Sequence, residues 1–324
     1  METPTKKIPD SFSKESFQIL PGFLVTGIVL YHLAQKIDPA LPLYDFAVMI
    51  VAMFFFLVGY SLVHSFESQR EDFLRIFLSN KIPNLLIPFI AAIVLFQFIL
   101  WLEGHAFSWV SIVHGLSKGD TNEILPYCWY VIAALYFNLC FYFVFRYLTK
   151  TIPIGLCLLV GFTAVWVLSM IGLGFPASWY KTVLAVNVGM FWQYFEKRIF
   201  SVIQSKTVVV TSFVFLVLLI NLLGVLDTRP GISFVRFVGY GLLPLAFFPL
   251  WFHVRLPHIG ILSYLGTISY KIYLCHGITI LFFRGKHIFL VSDAAYAGFV
   301  LAGTFLLAAV LNRFVSIVRN RKKL

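Results

Sequence analysis

The sequence predicts an all-α, polytopic membrane protein with about ten transmembrane helices. The chain has 324 residues, of which 60% are hydrophobic and only 12% are charged. Its mean hydropathy is +0.89, whereas soluble domains are about 45–50% apolar and about 25% charged. The apolar residues form continuous runs separated by short polar stretches. Continuous rather than alternating runs favour helices over the strands of a membrane barrel.

Each run of roughly 17–25 apolar residues is long enough to cross the hydrocarbon core of a bilayer. The N-terminal segment is polar, and the first apolar run is not followed by a small-residue cleavage site, so this run is expected to remain as a signal anchor. No repeat, linker or second domain is evident, and residues 1–324 are expected to form one domain. In chain order, the predicted spans lie near 18–36, 45–65, 84–102, 128–148, 153–172, 181–195 (a short run), 207–226, 236–252, 259–281 and 295–316.

The distribution of basic residues predicts the orientation of these spans. Cytoplasmic loops of membrane proteins carry an excess of Lys and Arg, and with an internal N-terminus most of the 25 Lys and Arg residues fall on that side. Both termini are therefore expected in the cytoplasm, with the protein in a bacterial inner membrane. The longest outer loop, near 103–127, carries two histidines and three acidic residues and offers a polar ligand a place to bind.

Composition also argues against two other classes of function. The net charge of +11 comes from basic residues in short gaps between apolar runs, whereas a nucleic-acid-binding domain gathers them into a patch with a fold motif. The four cysteines lie within or beside apolar runs and show no CxxC spacing. We therefore expect no nucleic-acid partner, disulfide framework or metal site.

Three ionisable side chains stand out within the predicted spans, where their cost makes them functional candidates. His32 lies about 20 Å along the first span and His276 a similar distance along the ninth, at about 1.5 Å per residue. Both spans run outward, so the two imidazoles reach a similar depth and are compatible with one site. Alternatively, each histidine simply bonds to a neighbouring helix. For Lys271, a structural pairing is favoured over catalysis.

Other polar residues in the spans receive weaker assignments. Ser269, Tyr273 and His276 share one helix face, whereas Lys271 lies about 140° from His276 and faces another neighbour. Four amides are spaced singly, and hydrogen bonding between helices is their expected role. These amides are Asn138, Asn187, Gln193 and Asn221.

Several stretches of the sequence resemble the membrane acyltransferase family 3, ten-helix enzymes that modify surface polysaccharides and related envelope glycans. LPGFLVTGIVLYH, ending at His32, resembles the opening helix. MFFFLVGYSL is similar to the FF-x-x-SG-Y segment, and FLSNKIPNLLIPF follows where a basic run leading to a proline is expected. CWY at 128–130 matches the start of the fourth span. The most specific stretch is LGTISYKIYLCH, ending at His276, which resembles LG-x-x-SY-x-IYL-x-H.

The chain departs from the family pattern at several positions. Pro21 stands eleven residues before His32, where the family has Arg or Lys; about three turns, roughly 16 Å, would place that cation on the histidine's face. We expect this proline to shape the N-terminal turn of the helix, with Lys14 or Gln18 as partial substitutes for the cation. Val58 replaces a serine, residues 84 and 85 replace an arginine, and the C-terminal Glu-Pro is missing.

The resemblance implies O-acyl transfer, with acetyl expected, from cytoplasmic acyl-CoA to a hydroxyl of an envelope or exported glycan. No bound cofactor is implied, because acyl-CoA is a donor substrate. An imidazole with a pKa near 6.5 is well suited to take the proton of a hydroxyl. His32 is the candidate general base or transient acyl carrier, and His276 would orient it or hold the acceptor.

Basic residues near the second and third spans offer a site for the phosphates of acyl-CoA. Lys81 is preferred, with Arg75 and Arg70 as further candidates and Tyr273 and Ser269 as substrate-binding residues. The same cations also satisfy the positive-inside rule without any ligand. Two other functions remain open: a catalytically degenerate member that exports an envelope glycan, and a small-molecule transporter, although no inverted repeat is evident. The oligomeric state cannot be read from the sequence.

Overall fold

The computed structural model describes residues 14–202, 205–225, 230–253 and 260–321. The predicted polar segment before residue 14 lies outside this range. All regular secondary structure in the described part is helical, and these residues form no β-strand. Its helices are α1 (Lys14–Ile37), α2 (Tyr44–Ile76), α3 (Ile82–Leu102), α4 (Trp109–Ser117), α5 (Trp129–Phe143), α6 (Ile152–Gly172), α7 (Leu184–Val202), α8 (Lys206–Val225), α9 (Pro230–His253), α10 (Gly260–Thr267), α11 (Ser269–Phe282) and α12 (Asp293–Arg321).

The predicted all-helical membrane character is confirmed, but the number of crossings is not. Within the described ranges, five helical stretches are long and apolar enough to cross a bilayer, or six if the bent pair α10 and α11 counts as one. One of them, Tyr44–Leu102, contains two of the predicted runs. It is kinked at Arg70 (φ 44°, ψ −112°) and continues through a π-helical turn, Phe77–Lys81. Ten spans and cytoplasmic termini therefore stay predictions.

The ninth predicted span is not one continuous helix but a bent pair of helices. α10 and α11 meet at 80°, and the helix breaks at Ile268 (φ −105°, ψ 9°). Close packing explains the direction of α10. A Cβ atom on Gly22 of α1 would collide with the backbone of Leu262 and Gly266 in α10, so the two helices touch backbone to backbone.

Pro21 is also placed differently from the prediction. The first helix begins at Lys14, so Pro21 lies in its interior rather than in its N-terminal turn. A proline has no N–H to donate to the preceding turn. The side chains of Lys14 and Gln18 lie outside the described part of the structure.

Two glycines hold α2 and α7 in contact at the centre of the bundle. A Cβ on Gly59 would collide with the carbonyl oxygen of Val186, and a Cβ on Gly189 with that of Phe56. Buried aromatic rings surround this contact, including Trp192 and Phe248, which both pack on Phe56. α2 is thereby fixed against α7 and also contacts α5; α2 and α5 both contribute to the candidate site.

Candidate active site

His32 and His276 lie side by side. His32 is on α1 and His276 on α11, and their ring centroids are 5.2 Å apart. The helices are in direct contact, and the bend at Ile268 starts α11 close to α1. Such proximity was compatible with the predicted depths, but the sequence could not show that these helices touch. The catalytic role of both histidines stays a prediction.

Tyr127 completes a cluster of three rings. Its ring stacks on His32 at 3.8 Å between centroids and lies 5.1 Å from that of His276. The residue ends the loop before α5 and has a φ of 65°, a left-handed conformation that is uncommon for a bulky side chain. Burial raises the pKa of its phenol above the ordinary value, so the hydroxyl stays neutral at physiological pH.

Close packing and one hydrogen bond hold this loop against α11. The hydroxyl of Tyr273 donates to the carbonyl oxygen of Tyr127 at 2.6 Å. A Cβ on Gly277 would come close to Pro126 and to the Tyr127 ring. The glycine after His276 therefore lets the loop approach the helix, and Tyr127 reaches both imidazoles.

The two imidazoles have different surroundings. His276 is fully buried, and its Nδ1 lies 2.5 Å from the carbonyl oxygen of Tyr273. A carbonyl only accepts hydrogen bonds, so Nδ1 carries a proton and the neutral ring has its lone pair on Nε2. That Nε2 is buried without a partner among the described residues. His32 is only partly buried and is the more accessible of the two rings.

A cavity of about 240 Å³ approaches this cluster from within the bundle. Its walls come from α1, α2, α3, α5 and α11. Tyr130 and Tyr273 line it where it nears the histidines, since the Tyr273 ring is 5.3 Å from that of His276. Its lining also includes Pro21, Val58, Lys81, Asn138 and Ser269.

Lys81 brings a positive charge to the cavity. It is half-buried, and no ion pair or hydrogen bond to it is present among the described residues. Arg319 donates to Asn80 at 3.1 Å and lies within electrostatic range of Lys271. Three cations therefore gather near one end of α3, opposite the 103–127 loop that follows this helix.

The remaining predicted residues fall into two groups. Ser269 and Tyr273 line the cavity as a shared helix face requires. Arg75 does not line it, and its exposed side chain pairs with Asp72 at 2.9 Å. Arg70 is likewise exposed, at the kink of α2. The pairing expected for Lys271 is not found in the described residues, where the charged side chain near it is the cation Arg319.

The four amides singled out in the sequence also divide into two groups. Asn187 donates to Thr163 of α6 at 2.6 Å and Gln193 to Glu67 of α2 at 3.4 Å, as predicted for contacts between helices. Asn138 and Asn221 instead donate to Ala134 and Val217, four residues earlier in their own helices. For these two amides the expected contact between helices was wrong.

Sequence reasoning did not place Tyr127, Asn138 or Arg319 at the site. The tyrosine immediately precedes the CWY stretch, but nothing local signals its left-handed backbone. The asparagine falls in an apolar helix without a motif, and the arginine belongs to an ordinary basic C-terminal turn. The described residues contain no group of three or more His, Cys, Asp or Glu side chains that could hold a metal ion.

Comparison with known proteins gives one match. The model of a family described as an acyltransferase domain, Acyl_transf_3, matches residues 15–313. The matched range includes His32, His276 and every cavity-lining residue described above. No curated protein and no solved structure matches the chain.

Proposed function

The chain belongs to acyltransferase family 3, and from this premise we propose that it is a membrane O-acyltransferase. It moves an acyl group, expected to be acetyl, from cytoplasmic acyl-CoA to a hydroxyl of an envelope or exported glycan in the bacterial inner membrane. The observation that carries the proposal is the cavity that leads from Lys81 to Tyr273, beside the paired imidazoles.

In the proposed reaction, His32 is the general base. It takes the proton of the acceptor hydroxyl while the oxygen bonds to the thioester carbonyl carbon. The carbon–sulfur bond then breaks, sulfur keeps the electron pair, and the imidazolium returns the proton to it. Its partial exposure supports this assignment, because an acceptor has to reach the base. The alternative role of His32, as a transient acyl carrier, uses the same position.

His276 is proposed to orient the reacting groups. The carbonyl of Tyr273 fixes its Nδ1 proton, so Nε2 presents a lone pair at a fixed position. This atom can accept a hydrogen bond from the acceptor hydroxyl or from the imidazolium of His32. Such fixed geometry, made before the substrate arrives, is what orientation in an active site requires.

The donor is proposed to enter at the end of the cavity that carries Lys81. An unpaired, half-buried ammonium is a suitable partner for a phosphate, and Arg319 and Lys271 add positive charge nearby. Pro21 lines the same cavity as Lys81. Lys81 can therefore supply to this cavity the charge that the family usually carries at position 21.

Pro21 is also the observation that favours a second candidate function. If a cation at that position is indispensable, the chain is a degenerate member that exports an envelope glycan without modifying it. The two functions differ in whether His32 is needed.

A transfer assay in membranes separates them. Radiolabelled acetyl-CoA is supplied to membranes that contain wild type, His32→Ala or His276→Ala at matched protein levels, and label in envelope glycan is measured. Loss of a general base costs about 10²–10⁴-fold in rate, so label should disappear in His32→Ala. Label should also disappear in His276→Ala, because the reacting groups lose the residue that orients them. Glycan export that continues in His32→Ala, with no label incorporated by the wild type, would support the exporter instead.

A further inference from the structure

The cavity contains a buried amide that the proposed chemistry at the histidines does not use. Asn138 is 2% exposed and lines the cavity from α5. Its Nδ2 donates to the carbonyl oxygen of Ala134 at 2.7 Å. Its Oδ1 is buried and has no hydrogen-bond partner among the described residues.

The orientation of this amide follows from its surroundings. A backbone carbonyl can only accept a hydrogen bond, so the nitrogen of Asn138 must face Ala134 and the oxygen must be the free atom. A buried acceptor without a partner is destabilising. A ligand that brings an N–H group to this part of the cavity removes that penalty, whereas a purely apolar chain does not.

Other lining residues restrict the kind of ligand. Lys81 offers a positive charge, while Leu57, Val58 and Ala134 make much of the remaining wall apolar. Tyr130 lies next to the histidine cluster. Asn138 lies about 12 Å farther along α5. A ligand that fits this order has an anionic end, an arm with an amide N–H, and a reactive end near Tyr130 and Tyr273.

We infer that Asn138 binds the donor by accepting a hydrogen bond from an amide N–H of its pantetheine-type arm. This rests on the proposed function for the identity of the donor and adds the feature by which it is recognised. The two amides of that arm distinguish it from a fatty acyl chain or a lipid tail of similar length. Asn138 is thus a specificity residue for an amide-bearing thioester.

Binding of labelled CoA to the purified full-length protein tests this without acyl transfer. Asn138→Leu, which cannot accept a hydrogen bond, should weaken CoA binding about tenfold, within the range for an unmade buried hydrogen bond. It should leave the affinity for adenosine 3′,5′-bisphosphate, which has phosphates but no arm, unchanged. Lys81→Ala should weaken the binding of both CoA and adenosine 3′,5′-bisphosphate.

Asn187→Leu is the matched control. Asn187 is a similarly buried asparagine that bonds to Thr163 and does not line the cavity. Its replacement should leave CoA affinity at the wild-type value. A ligand-side comparison covers the case in which Asn138→Leu does not fold: wild type should bind pantetheine about tenfold more tightly than an analogue with ester oxygens in place of both amide N–H groups.

The outcomes separate this inference from the proposed function. Equal affinities of pantetheine and its ester analogue, or wild-type CoA affinity in Asn138→Leu, would overturn the role of Asn138 while leaving acyl transfer intact. The expected binding pattern without any glycan labelling would support the amide contact and defeat the proposed transfer. If wild type binds no CoA at all, both fail.

Discussion

At the scale of single residues, Tyr127 is held in a backbone conformation that its side chain disfavours. A positive φ crowds the Cβ of a bulky residue against its own backbone, and such strain persists only where the surroundings impose it. Here the Tyr273 hydroxyl holds the Tyr127 carbonyl, and the ring stacks on His32. We interpret Tyr127 as a positioning residue that fixes the His32 ring relative to His276.

This interpretation predicts different effects for two substitutions. Tyr127→Phe keeps the stacked ring and should retain near-wild-type activity. Tyr127→Ala removes it and should lower kcat about 10–100-fold, as expected when a catalytic group is slightly misplaced. The KM for the acyl donor should not change, because Tyr127 does not line the cavity. Initial rates over a range of donor concentrations measure both constants.

A purely structural role would give another result. Equal thermal stability of the two variants in detergent is the required control. If Tyr127→Ala keeps the wild-type kcat, or if Tyr127→Phe loses as much as Tyr127→Ala, the stacked ring does not position His32.

At the scale of elements, backbone contacts between helices place the side chains of the site. Gly59 and Gly189 let α2 and α7 touch, and small residues at such contacts are typical of membrane bundles, where van der Waals packing drives helix association. α2 then contributes Phe54, Leu57 and Val58 to the cavity. The packing of α2 on α7 therefore affects the shape of the donor site.

Gly59→Ala should destabilise the protein because the added methyl would meet the carbonyl of Val186. Overpacking costs roughly 1–3 kcal/mol, which exceeds the ~1 kcal/mol that alanine gains over glycine from helix propensity. Gly161→Ala in α6 is the control, since nothing lies within 4 Å of its Cβ position. Thermal unfolding in detergent should show a lower midpoint for the first variant and no decrease for the second. An unchanged midpoint in Gly59→Ala would contradict the close contact.

At the scale of the whole molecule, the proposed reaction requires its two ends to face different compartments. The cations Lys81, Lys271 and Arg319 gather near one end of α3, and the loop that ends at Tyr127 follows the other end. The positive-inside rule predicts that the cationic end faces the cytoplasm. Acyl-CoA would then enter from inside, and the acceptor would approach His32 from outside.

Labelling of single cysteines in intact cells checks this orientation. The background is Cys157→Ser, because Cys157 is exposed while the other three cysteines are buried. A membrane-impermeant maleimide should label Asn122→Cys, in the predicted outer loop, in intact cells. It should label Gln69→Cys, near the cationic end, only after the membrane is permeabilised; both positions are exposed. The reverse pattern would invert the proposed directions of donor and acceptor.

The sequence by itself determined that the chain is a helical membrane protein of this family, and it singled out His32, His276 and Lys81. Helix formation could be predicted because a backbone in lipid must satisfy its hydrogen bonds within its own segment, which is a local property. The family motifs are local as well. Hydropathy could not decide the number of crossings, since Tyr44–Leu102 remains helical throughout.

Only the tertiary structure decided which distant residues meet. The break at Ile268, the pairing of the imidazoles, the left-handed Tyr127 and the free oxygen of Asn138 all depend on contacts between segments far apart in the chain. A run of apolar residues does not indicate which distant segments will come into contact with it. They arise where glycines at positions 22, 59, 189 and 277 let backbones approach, and close packing then leaves each side chain one position relative to its neighbours.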